Sequence, residues 1–199
     1  MMDHNVGLAP PARLAIAYVP AFYRSAFTLL LQIDERLADI LRSAREPMIA
    51  QIKMAWWREA FRNPPHLRPK GEPLLQALND SGDVIPPAAL DALVSAWEML
   101  LGQDPWDQQV TNDHADLRAE AIFQTYALWV GSTQDVQPVG RVWALADLRQ
   151  AFPERVAQGA RPNQVSLPSS RKLRPLSILT MSTQTKSGPR LVLHALTGR

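Results

Sequence analysis

Carboxylates, cations and aromatic rings recur at helical spacing near the start of this 199-residue chain. Asp34 and Glu35 open the segment "IDERLADILRS", and Lys53, Trp57 and Arg58 lie in the next, "QIKMAWWREAF". Grouped carboxylates can hold a divalent cation, and cations beside aromatic rings can hold a phosphate. Acids cooperate on a helix only when they share a face, at three- or four-residue spacing. Against the apolar stripe Leu30, Ile33, Leu37, Ile40 and Leu41, Asp34 falls about 60° from the centre and Asp39 about 160° away, at 100° per residue. Asp34 therefore sits on the shoulder of the buried face, and Asp39 points to solvent. The residue four beyond Asp34 is Ala38, so no second carboxylate shares its face. Glu35, Arg36, Asp39 and Arg42 read as a solvated face, with Asp39 and Arg42 paired at i,i+3. Lys53 and Trp57 share a face at i,i+4 and flank the apolar stripe, while Arg58 points nearly opposite it.

The elements that must position these groups read as helices. Pro10 and Pro11 suit the first turn of a helix over 11–19, Pro20 separates it from a helix over 21–44, and Pro47 opens a third over 47–62. The third has Ile49, Ile52, Trp56 and Ala60 as its expected buried stripe, with Trp57 at the boundary. "RNPPHLRPKGEP" is a loop. Helices follow near 72–79, 86–101, 114–131, 138–151 and 173–183, with "QGARPNQVSLPSS" as a second loop. Asp113 and Asp116 beside His114 read as a helix start, and Trp97 reads as core. The one weak strand pattern is "RLVLHAL" at 190–196. The fold class expected is all-α, a single domain of packed helices with a basic, loosely packed C-terminal segment over 184–199.

Composition narrows the function. The chain has no cysteine, which excludes disulfides and thiolate chemistry. No apolar run approaches the length that spans a bilayer, and no leader pattern is read at the N-terminus. The expectation is a cytoplasmic protein that at most touches a membrane peripherally. Residues 1–140 carry 11 basic and 17 acidic side chains, and residues 141–199 carry 10 basic and 2 acidic. No nucleic-acid reader motif accompanies the basic end, so nucleic acid is not an expected partner. The four histidines are scattered without ligand spacing.

Two stretches resemble a known family. "AYVPAFYRSAFTLLLQIDERLADILRSAREPMIAQIKMAWWREAF" looks like the N-terminal part of the squalene/phytoene synthases: an acidic helix, a Glu-Pro turn, then a helix ending Trp-Trp-Arg-Glu. "PVGRVWALADLRQAFPERVAQGARPNQVSLP", 138–168, is similar to the family's second hallmark, and "LRPLSILT" to a closing helix. The resemblance implies a shortened isoprenoid-synthase-like helical bundle. In active members it implies Mg2+ bridging two acidic motifs to prenyl diphosphates that are joined head to head, in a deep apolar pocket.

Carried over, the first acidic motif falls on Asp34, Glu35 and Ala38, and the tyrosine and arginine before it fall on Phe27 and Leu31. Lys53 takes the place of an arginine and loses its bidentate fork. In the second hallmark Gly140 stands, Ala144 replaces a glutamine, Asp147 an asparagine, and Gln150 and Ala151 an Arg-Asp pair, unless a one-residue gap places Arg149 there. Glu154 and Arg155 stand for Glu-Asp, Ser166 for a tyrosine, and Gly159 and Leu167-Pro168 are kept. If active, the resemblance implies catalytic Asp34, Glu35 and Asp147, metal-binding Asp34, Glu35, Asp147 and Glu154, and substrate-binding Lys53, Trp57, Arg58 and Arg149. The erosion of both motifs favours a non-catalytic member instead, needing no cofactor. Such a member would bind a protein partner or a lipid-like ligand, as in mitochondrial relatives that act as assembly factors for the first respiratory complex. A third reading is a peripheral membrane module using Arg171, Lys172 and Arg174.

Overall fold

A computed structural model describes residues 7–102, 104–156 and 165–184. The helices are α1 (Pro10–Ala17), α2 (Ala21–Ser43), α3 (Pro47–Arg62), α4 (Pro73–Asp80), α5 (Pro87–Glu98), α6 (Gln108–Arg118), α7 (Thr125–Trp129), α8 (Gln137–Ala151) and α9 (Arg174–Gln184). A π-helical segment, Ala119–Gln124, joins α6 to α7. Proline opens α1, α3, α4 and α5, where its missing N–H costs no intrahelical bond and its fixed φ suits the first turn. Among the described residues there is no strand, only an isolated bridge between Trp106 and Val156. The weak strand pattern at 190–196, Gly159 and the basic segment from 185 onward lie outside the described residues.

The core forms around α2. Its expected stripe is buried, and so are Phe27, Leu31, Asp34 and Ala38, because α1, α3, α4 and α5 all pack on this helix. Helix α8 packs on α6, on the π segment and on α9, while α9 packs on α1 and closes the bundle. The approach of α8 to the π segment depends on one residue. A Cβ on Gly140 would meet Ala119 Cβ at 2.7 Å and Phe123 Cγ at 2.8 Å.

Two expectations are corrected. Helix α3 buries Ala50, Met54, Trp57, Ala60 and Phe61, and leaves Ile49, Ile52 and Trp56 exposed. The helix is apolar on two sides, so periodicity alone could not choose between them. The packing of α3 on α5 decides it, and Arg58 reaches Asp91, Ser95 and Glu98 of α5. Helix α6 begins at Gln108 rather than 114, because Asp107 caps it and accepts a hydrogen bond from Val110 N at 2.8 Å. The polar run "QQVTND" hides that first turn and a half from an apolar pattern.

Gly140→Ala should cost about 1–3 kcal/mol, because the crossing helix must move to admit a methyl group. A lower urea midpoint at unchanged slope checks this.

Candidate functional site

Asp34 and Asp147 do meet, and a guanidinium stands between them. Asp34 projects from the shoulder of α2 and is only 4% exposed. Arg118, the last residue of α6, donates to it side-on, Nε to Oδ1 at 3.1 Å and Nη2 to Oδ2 at 2.6 Å. Nη2 also donates to Asp147 Oδ2 on α8 at 2.9 Å. Trp97 on α5 donates its indole N–H to Asp34 Oδ1 at 2.7 Å. Two rings flank the guanidinium, Trp97 with its centroid 4.8 Å away and Trp143 at 4.4 Å. Trp143 and Asp147 are one helical turn apart on α8, so one face supplies both an aromatic surface and a counter-charge.

The charges suit one another. Burial alone would favour a neutral guanidine, but the Asp34 and Asp147 carboxylates overcome it and hold Arg118 above its ordinary value. Arg118 is 2% exposed and stays a cation. One turn earlier on α6, buried His114 donates Nδ1–H to the Ala96 carbonyl at 2.8 Å, an assignment that follows from the carbonyl's being an acceptor only. Burial, and then the Arg118 charge, pull the His114 pKa down to about 3. His114 Nε2 and Arg118 Nη1 are buried without a hydrogen-bond partner among the described residues.

The cavity beside this cluster is small, about 150 Å3, and Asp34, Glu35, Arg118, Trp143, Asp147 and Gln150 line part of it. Glu35 lies at its exposed edge and is held by Arg42, which also takes Asp39 at 2.7 Å, the i,i+3 pair expected. Loss of solvent raises the Glu35 carboxyl above its ordinary value, against the pull of Arg42. The remaining candidates lie elsewhere. Lys53 and Trp57 line a separate groove of about 400 Å3 between α2 and α3, with Trp56, Arg36, Asp39 and Glu72. Arg58 is committed to α5. Arg149 is half-buried near the end of α8, and Glu154 is exposed in the turn after it. Neither lines the Asp34–Asp147 cavity.

Mg2+ does not fit this donor set. Both Asp34 oxygens already accept strong hydrogen bonds, the space between the carboxylates holds a guanidinium, and the Ala38 position supplies no ligand. Among the described residues no group of three or more acidic, histidine or cysteine side chains could hold a metal ion.

The family profile for squalene/phytoene synthase matches residues 12–170. The chain belongs to that family. Its all-α bundle is consistent with the isoprenoid-synthase-like fold of the squalene/phytoene synthases. No curated protein and no solved structure matches the chain.

Arg118 is the residue that sequence reasoning missed. It falls in the middle of a stripe of Thr111, His114, Ala115 and Ile122, all buried. An arginine centred on an apolar helical face requires a buried counter-charge, and that was the available signal.

His114 sets an acid limit on stability. The unfolded chain binds a proton here below about pH 6.5, while the folded chain refuses it until about pH 3. Stability should therefore fall as pH drops through that window, by up to about 1.4 kcal/mol per pH unit. Urea midpoints at pH 7, 6 and 5 should show that slope in the wild type and a flatter one in His114→Gln.

Proposed function

We propose that this protein is a non-catalytic squalene/phytoene synthase family member that works by binding a protein partner. The observation that carries the reading is Arg118, which takes the place between Asp34 and Asp147 where a catalytic member would need a metal-bound diphosphate. In an active site those carboxylates would be free to accept divalent ions and so neutralise a departing diphosphate. Here they neutralise a side chain of the same protein.

The volume argues the same way. Pockets for ligands of ordinary size run to roughly 300–1,000 Å3. The cavity at the carboxylates is about 150 Å3, too small for two prenyl chains. This favours a protein partner over a lipid-like occupant of the bundle centre. In the basic cluster two of the three side chains are engaged within the chain, and Arg171 is exposed. Lys172 Nζ donates to the Val130 carbonyl at 3.2 Å, and Arg174 lies over the Tyr18 ring. No helix among the described residues is long and apolar enough to cross a membrane.

One observation favours a second reading, a Mg2+-dependent transferase joining prenyl diphosphates. Asp34 and Asp147 line one cavity, with Glu35 at its edge. That reading requires Arg118 to leave a buried, doubly paired position, at a cost of several kcal/mol.

Incubation with labelled farnesyl and geranylgeranyl diphosphate, with Mg2+ or with EDTA, separates the two. The expected result is no coupled product in either, and a melting temperature that does not respond to Mg2+. Asp34→Asn should lower stability by about 3–5 kcal/mol, because it strips a buried cation of its main partner. Mg2+-dependent product that disappears in Asp34→Ala would overturn the proposal.

A further inference from the structure

Apolar rings and basic side chains gather where α2 starts and α7 ends. Phe22 and Tyr23 lie in the first turn of α2, and Leu128 and Trp129 close α7. The rings are in contact. Phe22 lies edge-on to Tyr23 with centroids 4.9 Å apart, and Tyr23 stacks on Trp129 at 5.7 Å. Phe22 is 78% exposed and Leu128 65%, while Tyr23 and Trp129 are half-buried beside them. Trp129 donates its indole N–H to the Val84 carbonyl at 3.0 Å, so the inner edge of the patch is fixed.

The cations come from separate elements that meet at this patch. Arg24, near the start of α2, donates to the Val19 carbonyl at 3.1 Å. Arg171 and Lys172 form the turn ahead of α9, and Tyr126 of α7 donates to the Lys172 carbonyl at 3.0 Å. Lys172 Nζ reaches the carbonyl of Val130, the residue after Trp129, at 3.2 Å. Arg174 opens α9 and lies over the Tyr18 ring at the end of α1. A carbonyl or a ring orients a cation without cancelling its charge. Arg24, Arg171, Lys172 and Arg174 have no carboxylate partner among the described residues. Asp83, next to Val84, stands at the margin, where its charge acts on Arg68.

We propose that this end of the bundle is a contact surface for an anionic lipid bilayer, with Phe22 and Leu128 entering between headgroups and the surrounding cations facing lipid phosphates. Tyrosine and tryptophan suit the boundary where one end of a ring is apolar and the other wet, which is the position of Tyr23 and Trp129. Each Lys or Arg held near an anionic surface adds to the attraction. A protein partner would need carboxylates spaced to match cations from several elements. A fluid anionic surface supplies negative charge wherever a cation stands. The sequence marks the basic turn alone, and the fold brings the apolar residues of α2 and α7 to it. Two exposed apolar side chains are a small anchor, so the contact is reversible. The inference does not rest on the Arg118 cluster or on a protein partner.

The test is co-sedimentation of the full chain with phosphatidylcholine vesicles, with and without phosphatidylglycerol. The expected result is binding to the mixed vesicles, little to phosphatidylcholine alone, and release as salt rises from about 0.05 to about 0.5 M. Arg171→Gln should weaken binding roughly fivefold. Phe22→Ser with Leu128→Ser should weaken it by roughly tenfold or more, with an unchanged thermal melt because both positions are exposed. Ile52→Ser, at a comparably exposed position on α3, should bind as the wild type does. A wild type that stays in solution with the mixed vesicles overturns the proposal. So does equal binding to both vesicles at every salt concentration, binding that the Phe22–Leu128 double variant keeps, or binding that Ile52→Ser loses. A lipid-free dimer in sedimentation velocity that the same double variant disperses would assign the surface to a second copy of the chain instead.

Discussion

A guanidinium held away from water must be given back what hydration supplied, and the centre of this bundle is arranged to do so. Taking one charge out of water costs several kcal/mol even after relaxation, so a lone Arg118 could not remain buried as a cation. Asp34 comes from α2, Trp97 from α5, Arg118 from α6, and Trp143 and Asp147 from α8. No two consecutive helices could supply the set. The requirement ties together elements far apart in sequence, Arg118 lying 84 residues from Asp34. Gly140 belongs to the same constraint. Without a side chain there, α8 closes on the π segment that directly follows Arg118, and Asp147 comes within reach. The π segment is itself a local departure from regular helix, of a rare kind frequent at functional sites.

The chemistry of the site follows from which cation it suits. Mg2+ asks for about six oxygen ligands near 2.1 Å in octahedral array, several of them water. Arginine asks for acceptors in the plane of its fork and tolerates dry aromatic faces above and below it. Here the acceptors number two carboxylates, and the faces are two indoles. A hydrated metal ion would find too few oxygens and would have to shed water against rings. The same carboxylates that suit a metal in an open polar cleft therefore become structural counter-ions once an arginine and two tryptophans close around them.

Much of this was legible in the order of residues, and the rest was hidden for identifiable reasons. The helices α2 and α8 were read nearly to the residue, because proline punctuation and apolar periodicity act locally. The separation of Asp34 from Asp39 was also legible, since it depends only on the angular step of a helix. Two features were not. The buried face of α3 could not be chosen, because both candidate stripes are apolar and the choice is made by α5, which lies elsewhere in the chain. Arg118 could not be paired with Asp34, because helical periodicity relates residues along one helix while the compensating charge crosses from another, 84 residues away. Ala38 leaves Asp34 without a second acid on its face, and the charge that meets Asp34 is a cation from another helix.

Closing the centre shifts what the fold can offer other molecules. A catalytic bundle keeps a polar hollow at its heart, which costs packing and leaves charges unpaired until substrate arrives. This bundle fills that region with an ion cluster and aromatic rings, and little volume remains. Among the described residues the outer surface carries several large apolar side chains, Phe22, Leu67 and Leu128 as well as Met48, Ile49, Ile52 and Trp56 of α3, and a groove beside α3 lined by Lys53 and Trp56. An apolar helical face in water is unfavourable unless it is covered for part of its working life. Met48 and Ile52 are mostly exposed, while Trp56 packs edge-on against buried Trp57, with ring centroids 5.1 Å apart. They leave an apolar strip on the outside of a bundle whose centre is closed by the Arg118 ion cluster.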